Sequence, residues 1–340
     1  LNRLKLLHLL KFSEKMKLSN IRLEVMQTIG KSMDELIGTY LKSIDENWQP
    51  TDMLPDATNP EFIDEVKEIQ ELCREMDYDL FTVLVGDTIT EEALPTYESW
   101  LMGVQGVDQV NGNGWSKWVR SWTAEENRHG DLLNKYLYLS GRVNMREMEV
   151  STQYLISDGF DIGTGMDPYK NFVYTSFQEL ATNVSHRRVA SFSRKSGNKQ
   201  LAKICNMIAK DEARHASAYM EFVRRIFDLD PSEMMIAFEA MMRNKIVMPA
   251  MFLRESGQQI GQLWEHFSDA AQRSMVYTTQ DYITILKSLV ADWKIEDIKG
   301  LNDKGERARD YLLNLPDRLE RISQRIVVPK LDHKFKWIAS

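Results

Sequence analysis

The chain has 340 residues, 43% hydrophobic and 27% charged, which is ordinary composition for a globular protein. Its 17 glycines and 9 prolines fall short of the roughly 24 and 17 that average usage gives, which favours long helices over turn-rich β-structure. A net charge of −7 argues against a nucleic-acid binder, and two cysteines are too few for a thiolate metal cluster. No apolar run reaches the roughly 18 residues of a membrane span, so we expect a soluble protein that does not insert into membranes.

Apolar residues recur at spacings of three and four over most of the chain, which is the pattern of amphipathic helices. The predicted helices are, in chain order, 20–44, 61–76, 79–103, 115–140, 145–157, 169–196, 198–226, 232–253, 258–275, 279–292 and 303–326. Asp230-Pro231 is typical of a helix start, because a cap residue precedes a proline in the first turn. Gly141 and Gly197 stand where helices are expected to end.

The domain organisation is predicted from the even composition of the chain. No low-complexity linker and no shift of composition divides it, so we expect one helical domain over 20–340. The first 17 residues are basic and leucine-rich but lack the marks of a signal or transit peptide. We therefore predict an N-terminal extension over 1–19 that is either helical or disordered.

Two of the six histidines follow a glutamate by three residues, in Glu126-Asn-Arg-His129 and Glu212-Ala-Arg-His215. Residues three apart share one face of a helix, so each pair could direct a carboxylate and an imidazole to one point. On this spacing alone, an exposed Glu–His pair remains the more ordinary interpretation.

A second glutamate before each pair strengthens the interpretation as metal ligands. A carboxylate-bridged two-metal site in a four-helix bundle needs two Glu-x-x-His helices and one glutamate from each of two further helices. Glu91 precedes Glu126 by 35 residues, and Glu179 precedes Glu212 by 33. This repeat predicts an all-α, ferritin-like four-helix bundle with a two-metal centre, embedded in a single domain of about eleven helices.

The surroundings of the two added glutamates fit this prediction. Glu91 and Glu179 lie in apolar helical segments, where a buried carboxylate is costly unless it is paired or bound to metal. Pro95 cannot donate a hydrogen bond to the carbonyl of Glu91, which predicts a weakened helix at that ligand or a simple kink. Four carboxylates and two imidazoles suit iron or manganese, and the spacing leaves O₂ activation and iron storage both open.

Several segments closely resemble the soluble acyl-[acyl-carrier-protein] desaturases, the stearoyl-ACP 9-desaturase-like members of the ferritin-like di-iron proteins. The strongest resemblance is in Trp122–Arg142, which contains Glu-Glu-Asn-Arg-His-Gly, and the similarity runs from about Leu23 to Trp337. Further matching segments are Trp48-Gln-Pro50, Leu84-Val-Gly-Asp87, Ile89–Tyr97, Tyr174–Glu179 and Asp211–His215.

The resemblance implies an oxidoreductase with two carboxylate-bridged iron ions and O₂ as co-substrate. Its implied substrate is a saturated, stearoyl- or palmitoyl-like acyl chain on acyl carrier protein, into which it introduces a cis double bond in unsaturated fatty acid biosynthesis. Implied partners are a ferredoxin as electron donor and a second copy in a homodimer. The implied compartment is the cytoplasm if the protein is bacterial and the plastid stroma if it comes from a plant or an alga. The bacterial origin is favoured because the 106–114 loop is shorter than the plant form. A related di-iron acyl hydroxylase or oxidase and a ferritin-like iron-binding protein are the alternatives.

The family's functional residues carry over by motif. The implied metal ligands are Glu91, Glu126, His129, Glu179, Glu212 and His215, with Glu126 and Glu212 bridging the two ions. Asp211 is expected to orient His129, with Trp48 beyond it on the electron-entry side, and Thr182 lies on the oxygen-binding side. Positions that line the family's acyl cavity fall at Trp100, Gly103, Val104, Asn171 and Phe172. Four of these, all but Phe172, depart from the plant pattern, so chain length and double-bond position are not implied. His186 is interpreted as a structural histidine.

Docking of an acidic carrier protein onto an acidic chain requires a local basic patch. The candidate patch residues are Lys31, Lys42, Arg187, Arg188, Arg243 and Lys245.

Overall fold

The computed structural model describes residues 19–330 and 333–339, and over these ranges it contains thirteen α-helices and no β-strand. The helices are α1 (Asn20–Gly30), α2 (Met33–Tyr40), α3 (Phe62–Arg74), α4 (Tyr78–Glu92), α5 (Leu94–Met102), α6 (Gly114–Ser140), α7 (Met145–Asp158), α8 (Pro168–Lys195), α9 (Lys199–Leu229), α10 (Pro231–Asn244), α11 (Trp264–Arg273), α12 (Thr279–Asp292) and α13 (Asp303–Ser323). The extension predicted over 1–19 lies outside the described residues apart from Ser19, whose side chain caps α1.

Two of the eleven predicted helices are each divided in the structure. The helix predicted over 20–44 is interrupted between Gly30 and Met33, and the one over 79–103 is interrupted at Ala93. Pro95 lies in the first turn of α5, so it marks a new helix start and not a kink inside one helix. A proline is tolerated there because the first N–H groups of a helix have no partner within it.

Two other predicted boundaries are wrong by several residues. The helix predicted over 232–253 ends at Asn244, where Lys245 adopts a left-handed φ of 61°. The helix predicted over 258–275 begins only at Trp264. Between them the chain forms a short 3₁₀ helix, Pro249–Phe252, followed by turns. Apolar spacing continues through this segment, but the backbone does not follow it.

Four long helices, α4, α6, α8 and α9, form the bundle that holds the site. Each begins at an Asp or Asn whose side chain accepts a hydrogen bond from a backbone N–H of the first turn; the four are Asp77, Asn113, Asp167 and Asn198. Such caps satisfy N–H groups that the helix leaves free, and they fix where each helix starts. The helix register, and with it the direction of each inward side chain, is therefore set at these four residues.

The connections give the bundle two antiparallel helix pairs. The turn between α8 and α9 is only three residues long and contains Gly197 with a φ of 86°. α6 ends at Gly141, which is left-handed at φ 63° as the sequence predicts, and α7 then crosses over to α8. The remaining helices pack around this core.

Buried apolar side chains from Val25 to Trp337 form one contiguous cluster. This continuity supports the single domain expected over 20–340, which stays a prediction. None of the described helices combines the length and apolar character that a bilayer crossing requires.

Candidate metal centre

The six predicted ligands lie together in the middle of the four-helix bundle. Their ligand atoms fall into two groups, and within each group all atoms lie inside 4.8 Å of one another. One group consists of Glu91, Glu126, His129 and Glu212, and the other of Glu126, Glu179 and His215. Glu126 belongs to both groups, which is the position of a bridging carboxylate. Glu212, the second predicted bridge, lies with the first group.

Both imidazoles present the Nδ1 atom to the centre. His129 Nδ1 lies 3.1 Å from Glu126 Oε2 and 3.1 Å from Glu212 Oε1. His215 Nδ1 lies 2.5 Å from Glu126 Oε1 and 3.7 Å from Glu179 Oε2. The two rings stack at 6.1 Å between centroids, so the two Nδ1 atoms flank the shared glutamate.

A glycine brings two of the ligand helices together. A Cβ atom at Gly130 would lie 3.0 Å from the backbone nitrogen of Glu92 and 3.1 Å from the carbonyl carbon of Glu91. Such contacts are tighter than nine in ten real Cβ contacts, so a side chain here would push α6 away from the end of α4 by a few tenths of an ångström. The residue after His129 therefore decides how near Glu91 comes to the other ligands.

The site contains polar atoms that protein groups do not satisfy. His129, Glu179 and His215 are at most 1% exposed. Glu126 Oε1, Glu179 Oε2, both ring nitrogens of His129 and His215 Nδ1 lie near one another, but none of these atoms makes a hydrogen bond of good geometry among the described residues. Unpartnered buried polar atoms cost free energy, and their convergence on one point is what a pair of metal ions would relieve. The donor set of four carboxylates and two imidazoles fits two divalent cations in charge and in ligand type.

Burial and mutual charge shift the pKa of these groups. Burial raises the pKa of Glu91 to about 7, and burial together with repulsion from Glu126 raises the pKa of Glu179 well above its usual range. Burial opposes the charged form of His129 and His215, but attraction to Glu126 and the hydrogen bonds from surrounding carboxylates together outweigh it and raise the pKa of both. Metal ions that bound here would have to displace protons from these groups.

Asp211 and Trp48 lie where the sequence analysis expects them, behind His129. Asp211 Oδ2 is 3.6 Å from His129 Nε2 and accepts a 2.9 Å hydrogen bond from Trp48 Nε1. The Trp48 ring stacks on the His129 ring at an interplanar angle of 9°, and the Arg128 guanidinium lies over the Trp48 ring at 4.1 Å from its centroid. A half-buried indole thus connects the surface to one ligand.

Glu125 is a functional residue that the sequence analysis missed. His215 Nε2 lies 2.9 Å from Glu125 Oε2, which is hydrogen-bond distance, whereas Asp211 lies behind His129 at 3.6 Å. Lys42 N donates to Glu125 Oε1 at 2.6 Å, and Arg214 donates to Oε2 at 2.9 Å. Burial opposes ionisation of Glu125, but its interactions with His215, Lys42 and Arg214 together outweigh burial and lower its pKa. A carboxylate held in this way fixes the orientation and tautomer of a metal-binding histidine.

The signal for Glu125 was present in the sequence as an internal repeat. Glu125-Glu126-Asn-Arg-His129 and Asp211-Glu212-Ala-Arg-His215 share the pattern acid, Glu, any residue, Arg, His. Each first acid supports the histidine of the other copy, and the Arg128 and Arg214 side chains both bind Asp211, at 2.8 Å and 2.7 Å. The two copies thus exchange their supporting carboxylates across the bundle.

The comparison with known proteins assigns the chain to a family. Residues 21–339 match the fatty acid desaturase family. The chain belongs to the fatty acid desaturase family. It is 48% identical over 307 residues to stearoyl-[acyl-carrier-protein] 9-desaturase 5, chloroplastic, of Arabidopsis thaliana, which covers 89% of this chain and 77% of that protein. It is 47% identical to the corresponding chloroplastic enzyme of Spinacia oleracea, with 89% and 76% covered.

A solved structure shows the same fold for this desaturase. The X-ray structure of DesA2 from Mycobacterium tuberculosis H37Rv superposes with a TM-score of 0.50 at 16% sequence identity, covering 85% of this chain and 99% of that one. The predicted all-α, ferritin-like architecture is therefore confirmed.

Three more side chains of the desaturase contact the ligands. Thr182 Oγ1 donates a 2.5 Å hydrogen bond to Glu212 Oε2, which places it next to the centre as predicted. Trp122 Nε1 donates to Glu179 Oε1 at 3.2 Å. His186 Nε2 lies 3.0 Å from Glu91 Oε1, so the histidine that the sequence analysis interpreted as structural supports a ligand.

A large cavity extends to Thr182, whose hydroxyl binds the ligand Glu212, although none of the six ligands lines it. Its volume is about 690 Å³, and Gln178, Ala181, Thr182 and Ser185 of α8 form one wall. The other walls come from α4, Tyr97 of α5, the end of α10, residues 245–251, α11, the start of α12 with Tyr277 and Thr278 before it, and α13. Most of the lining is apolar, which suits a long hydrocarbon chain.

None of the five predicted cavity residues, Trp100, Gly103, Val104, Asn171 and Phe172, lines this cavity. Instead the Phe172 ring stacks on Trp115 at 5.0 Å, and the Asn171 side chain donates to the carbonyl of Asp167 at 2.7 Å. Trp100 packs edge-on against Tyr174 at 5.7 Å, one turn beyond the cavity-lining Tyr97. Aromatic side chains thus fill the region where the cavity was expected to continue.

Proposed function

We propose that this fatty acid desaturase introduces a cis double bond into a saturated acyl chain carried by acyl carrier protein, in unsaturated fatty acid biosynthesis. The observation that carries the proposal is the junction of two features at Thr182: its hydroxyl binds the ligand Glu212, and its side chain lines the apolar cavity. The stearoyl-[acyl-carrier-protein] 9-desaturase names of relatives at 46–48% identity give the substrate class.

Glu91, Glu126, His129, Glu179, Glu212 and His215 would hold two iron ions, a metal that carboxylate and imidazole donors suit. When bound, they supply the activation of O₂ that removal of hydrogen from an unactivated methylene requires. The protein contributes orientation and exclusion of water. Asp211 and Glu125 fix the two histidines, and the apolar walls of the cavity keep the reacting carbons dry.

The substrate is expected to enter with its acyl chain in the cavity and its carrier outside. Arg243, Lys245 and Arg318 line the cavity and are solvent-exposed, so they lie at its opening. These cations can meet an acidic carrier protein there, although the whole chain is acidic.

Of the six docking candidates from the sequence, Arg243 and Lys245 are the two that line the cavity, and Arg243 also pairs with Glu239 at 2.7 Å. The Arg188 guanidinium is bound to Asp281 at 2.5 Å, and neither it nor the other three candidates, Lys31, Lys42 and Arg187, lines the cavity.

Three further features stay part of the proposal: O₂ as co-substrate, assembly as a homodimer, and a location in the cytoplasm or the plastid stroma. The compartment of the curated relatives is the chloroplast.

The proposal is tested by reconstituting the protein with ferrous iron and supplying O₂, reduced ferredoxin and the 16:0 or 18:0 acyl carrier protein. Mono-unsaturated products, identified by mass spectrometry, are expected. Glu179→Ala should lose iron and activity while its circular dichroism stays helical, and Asp131→Ala on the exposed side of α6 serves as the matched control. Absence of an unsaturated product, with iron uptake far above two ions per chain, would identify an iron-storage protein, and hydroxylated products would identify a hydroxylase.

A further inference from the structure

The segment 333–339 returns to the helices and pairs with the turn between α6 and α7. Asn144 N in this turn donates a hydrogen bond to the carbonyl of Trp337 at 2.7 Å. Next to it, Val143 and Ile338 form an antiparallel bridge. The backbone of the segment is therefore fixed by contacts with a distant part of the chain. We call residues 333–339 the strap.

Side chains of the strap attach it to two helices. Trp337 is fully buried, and its indole Nε1 donates to Ser151 Oγ of α7 at 2.8 Å. Phe335 N donates to the hydroxyl of Tyr78 at the start of α4, at 2.9 Å. The Phe335 ring stacks on the Trp337 ring at 5.3 Å between centroids. The strap therefore holds two stacked aromatic rings in place through contacts with α4 and α7.

The strap supports α11, which forms part of the cavity wall. Trp337 packs edge-on against Phe267 of α11 at 6.3 Å between ring centroids. His333 stacks on the preceding residue, His266, at 4.3 Å. Phe267 lines the cavity, whereas no residue of the strap does. The strap thus supports this wall from outside the cavity.

Phe267 also lies directly against α4. A Cβ atom at Gly86 would lie 2.1 Å from Cε2 and 2.5 Å from Cζ of the Phe267 ring, distances that real Cβ atoms essentially never show. Val83 and Asp87 of the same helix line the cavity, so the ring meets α4 at the cavity wall. Gly86 precedes the ligand Glu91 by five residues, which is about 7.5 Å along a helix. The ring is therefore held at a fixed distance from the metal centre.

The strap also anchors the wall formed by residues 245–251. The chain continues from this wall to Glu255, which is fully buried and accepts a 2.5 Å hydrogen bond from Lys336 N. Ser256 N donates to Glu147 of α7 at 2.8 Å, and its carbonyl accepts from Lys336 Nζ at 2.7 Å. No α-helix forms between α10 and α11, so these contacts fix the position of the wall.

We propose that the strap positions the acyl cavity for chain selection: Trp337 holds Phe267 against α4, and the held ring determines which acyl chain fits beside the metal centre. This rests on the proposed desaturase function and names residues that choose among its substrates. An acyl chain has no polar group along its length, so a site selects its length through the shape of apolar walls. One methylene changes selectivity by about 10–200-fold in a well-formed apolar pocket, so a displaced wall is measurable.

The test uses two substitutions outside the cavity lining that move Phe267 in opposite directions. Trp337→Ala removes the support behind the ring, which can then withdraw and enlarge the cavity. Gly86→Ala pushes the ring away from α4, and because Trp337 blocks its withdrawal, the ring enters the cavity. In the iron-reconstituted protein, the ratio of kcat/KM for the 18:0 to the 16:0 acyl carrier protein should rise on the order of tenfold in Trp337→Ala and fall by a similar factor in Gly86→Ala.

Three measurements separate positioning from a general loss of stability. Trp337→Phe keeps an aromatic ring against Phe267 and should keep the wild-type ratio. Trp293→Ala removes another buried tryptophan, packed on Phe238 at 5.0 Å, and should leave the ratio unchanged. Calorimetric binding of the same two carrier proteins to the metal-free variants should shift in the same directions as the kinetic ratio.

A wild-type ratio in folded Trp337→Ala and Gly86→Ala would overturn the proposal, and so would an equal shift in Trp293→Ala. Gly86→Ala decides alone if Trp337→Ala does not fold. Absence of any unsaturated product from the wild-type protein would instead refute the desaturase function, and the calorimetric ratios would still report on the strap.

Discussion

Replacing Glu125 by Gln tests whether the exchanged carboxylates control the metal centre. The side chain keeps its size and stays 4% exposed, so packing is unchanged. Its amide oxygen can still accept from Lys42 N at 2.6 Å, but the new NH₂ group then faces His215 Nε2 and Arg214, which are donors. A hydrogen bond to a charged group is worth about 1.5–3 kcal/mol, which corresponds to a loss of about 10–100-fold in metal affinity.

The affinity is measured by titrating the reconstituted protein with a chromogenic chelator for ferrous iron. One of the two ions should leave at a chelator concentration about 10–100-fold lower than in the wild-type protein, while thermal unfolding of the metal-free form changes little. Asp131→Asn on the same helix removes only the surface pair with Lys135, and serves as the control. Two ions held with wild-type affinity in Glu125→Gln would refute the inference that this carboxylate orients His215.

Three further predictions follow from the packing and the burial of single residues. Gly130→Ala should separate α6 from α4, lower iron binding and destabilise the fold by about 1–3 kcal/mol; a wild-type melting temperature and iron content would contradict this. Trp100→Ala should extend the cavity beyond Tyr97 and shift the preference toward longer acyl chains, which product analysis on a chain-length series would detect. Burial raises the pKa of Glu255 from 4.5 to about 7, so the folded state binds the extra proton, and stability is lost as pH rises through this range. Glu255→Gln should remove that loss. The free energy of unfolding of the variant, measured by urea unfolding and taken relative to the wild type, should therefore rise by about 3 kcal/mol from pH 4 to pH 8. The same difference between variant and wild type at both pH values would contradict this prediction.

The metal ligands were predictable because their chemistry restricts their spacing. A carboxylate and an imidazole must share a helix face, and two copies of that pair must each follow another inward glutamate at a similar distance. Glu125 could have been predicted in the same way, because it precedes Glu126 as Asp211 precedes Glu212. His186 lies two turns after Glu179 on the same face, and the periodicity that placed the glutamate inside the bundle also places this histidine there.

Other parts of the structure depend on contacts that spacing does not encode. Lys245 ends α10 through its left-handed backbone, although apolar residues continue beyond it. The cavity was expected around Asn171 and Phe172, but Phe172 packs on Trp115 and closes that region. Whether a buried aromatic lines a cavity or fills it depends on its partner from a distant helix, and one sequence does not reveal that partner.

The exchanged repeat around the two histidines has a consequence for how the ions differ. A duplicated helix pair would by itself give two equivalent halves related by a twofold axis, and two equivalent ions. In this structure the two halves differ. Asp211, which lies behind His129, accepts a hydrogen bond from the Trp48 indole. Glu125, which binds His215, accepts one from the backbone of Lys42. The apolar cavity lies on the side of Thr182. The twofold relation therefore builds the ligand cage, and its breaking gives the two faces of the cage different surroundings.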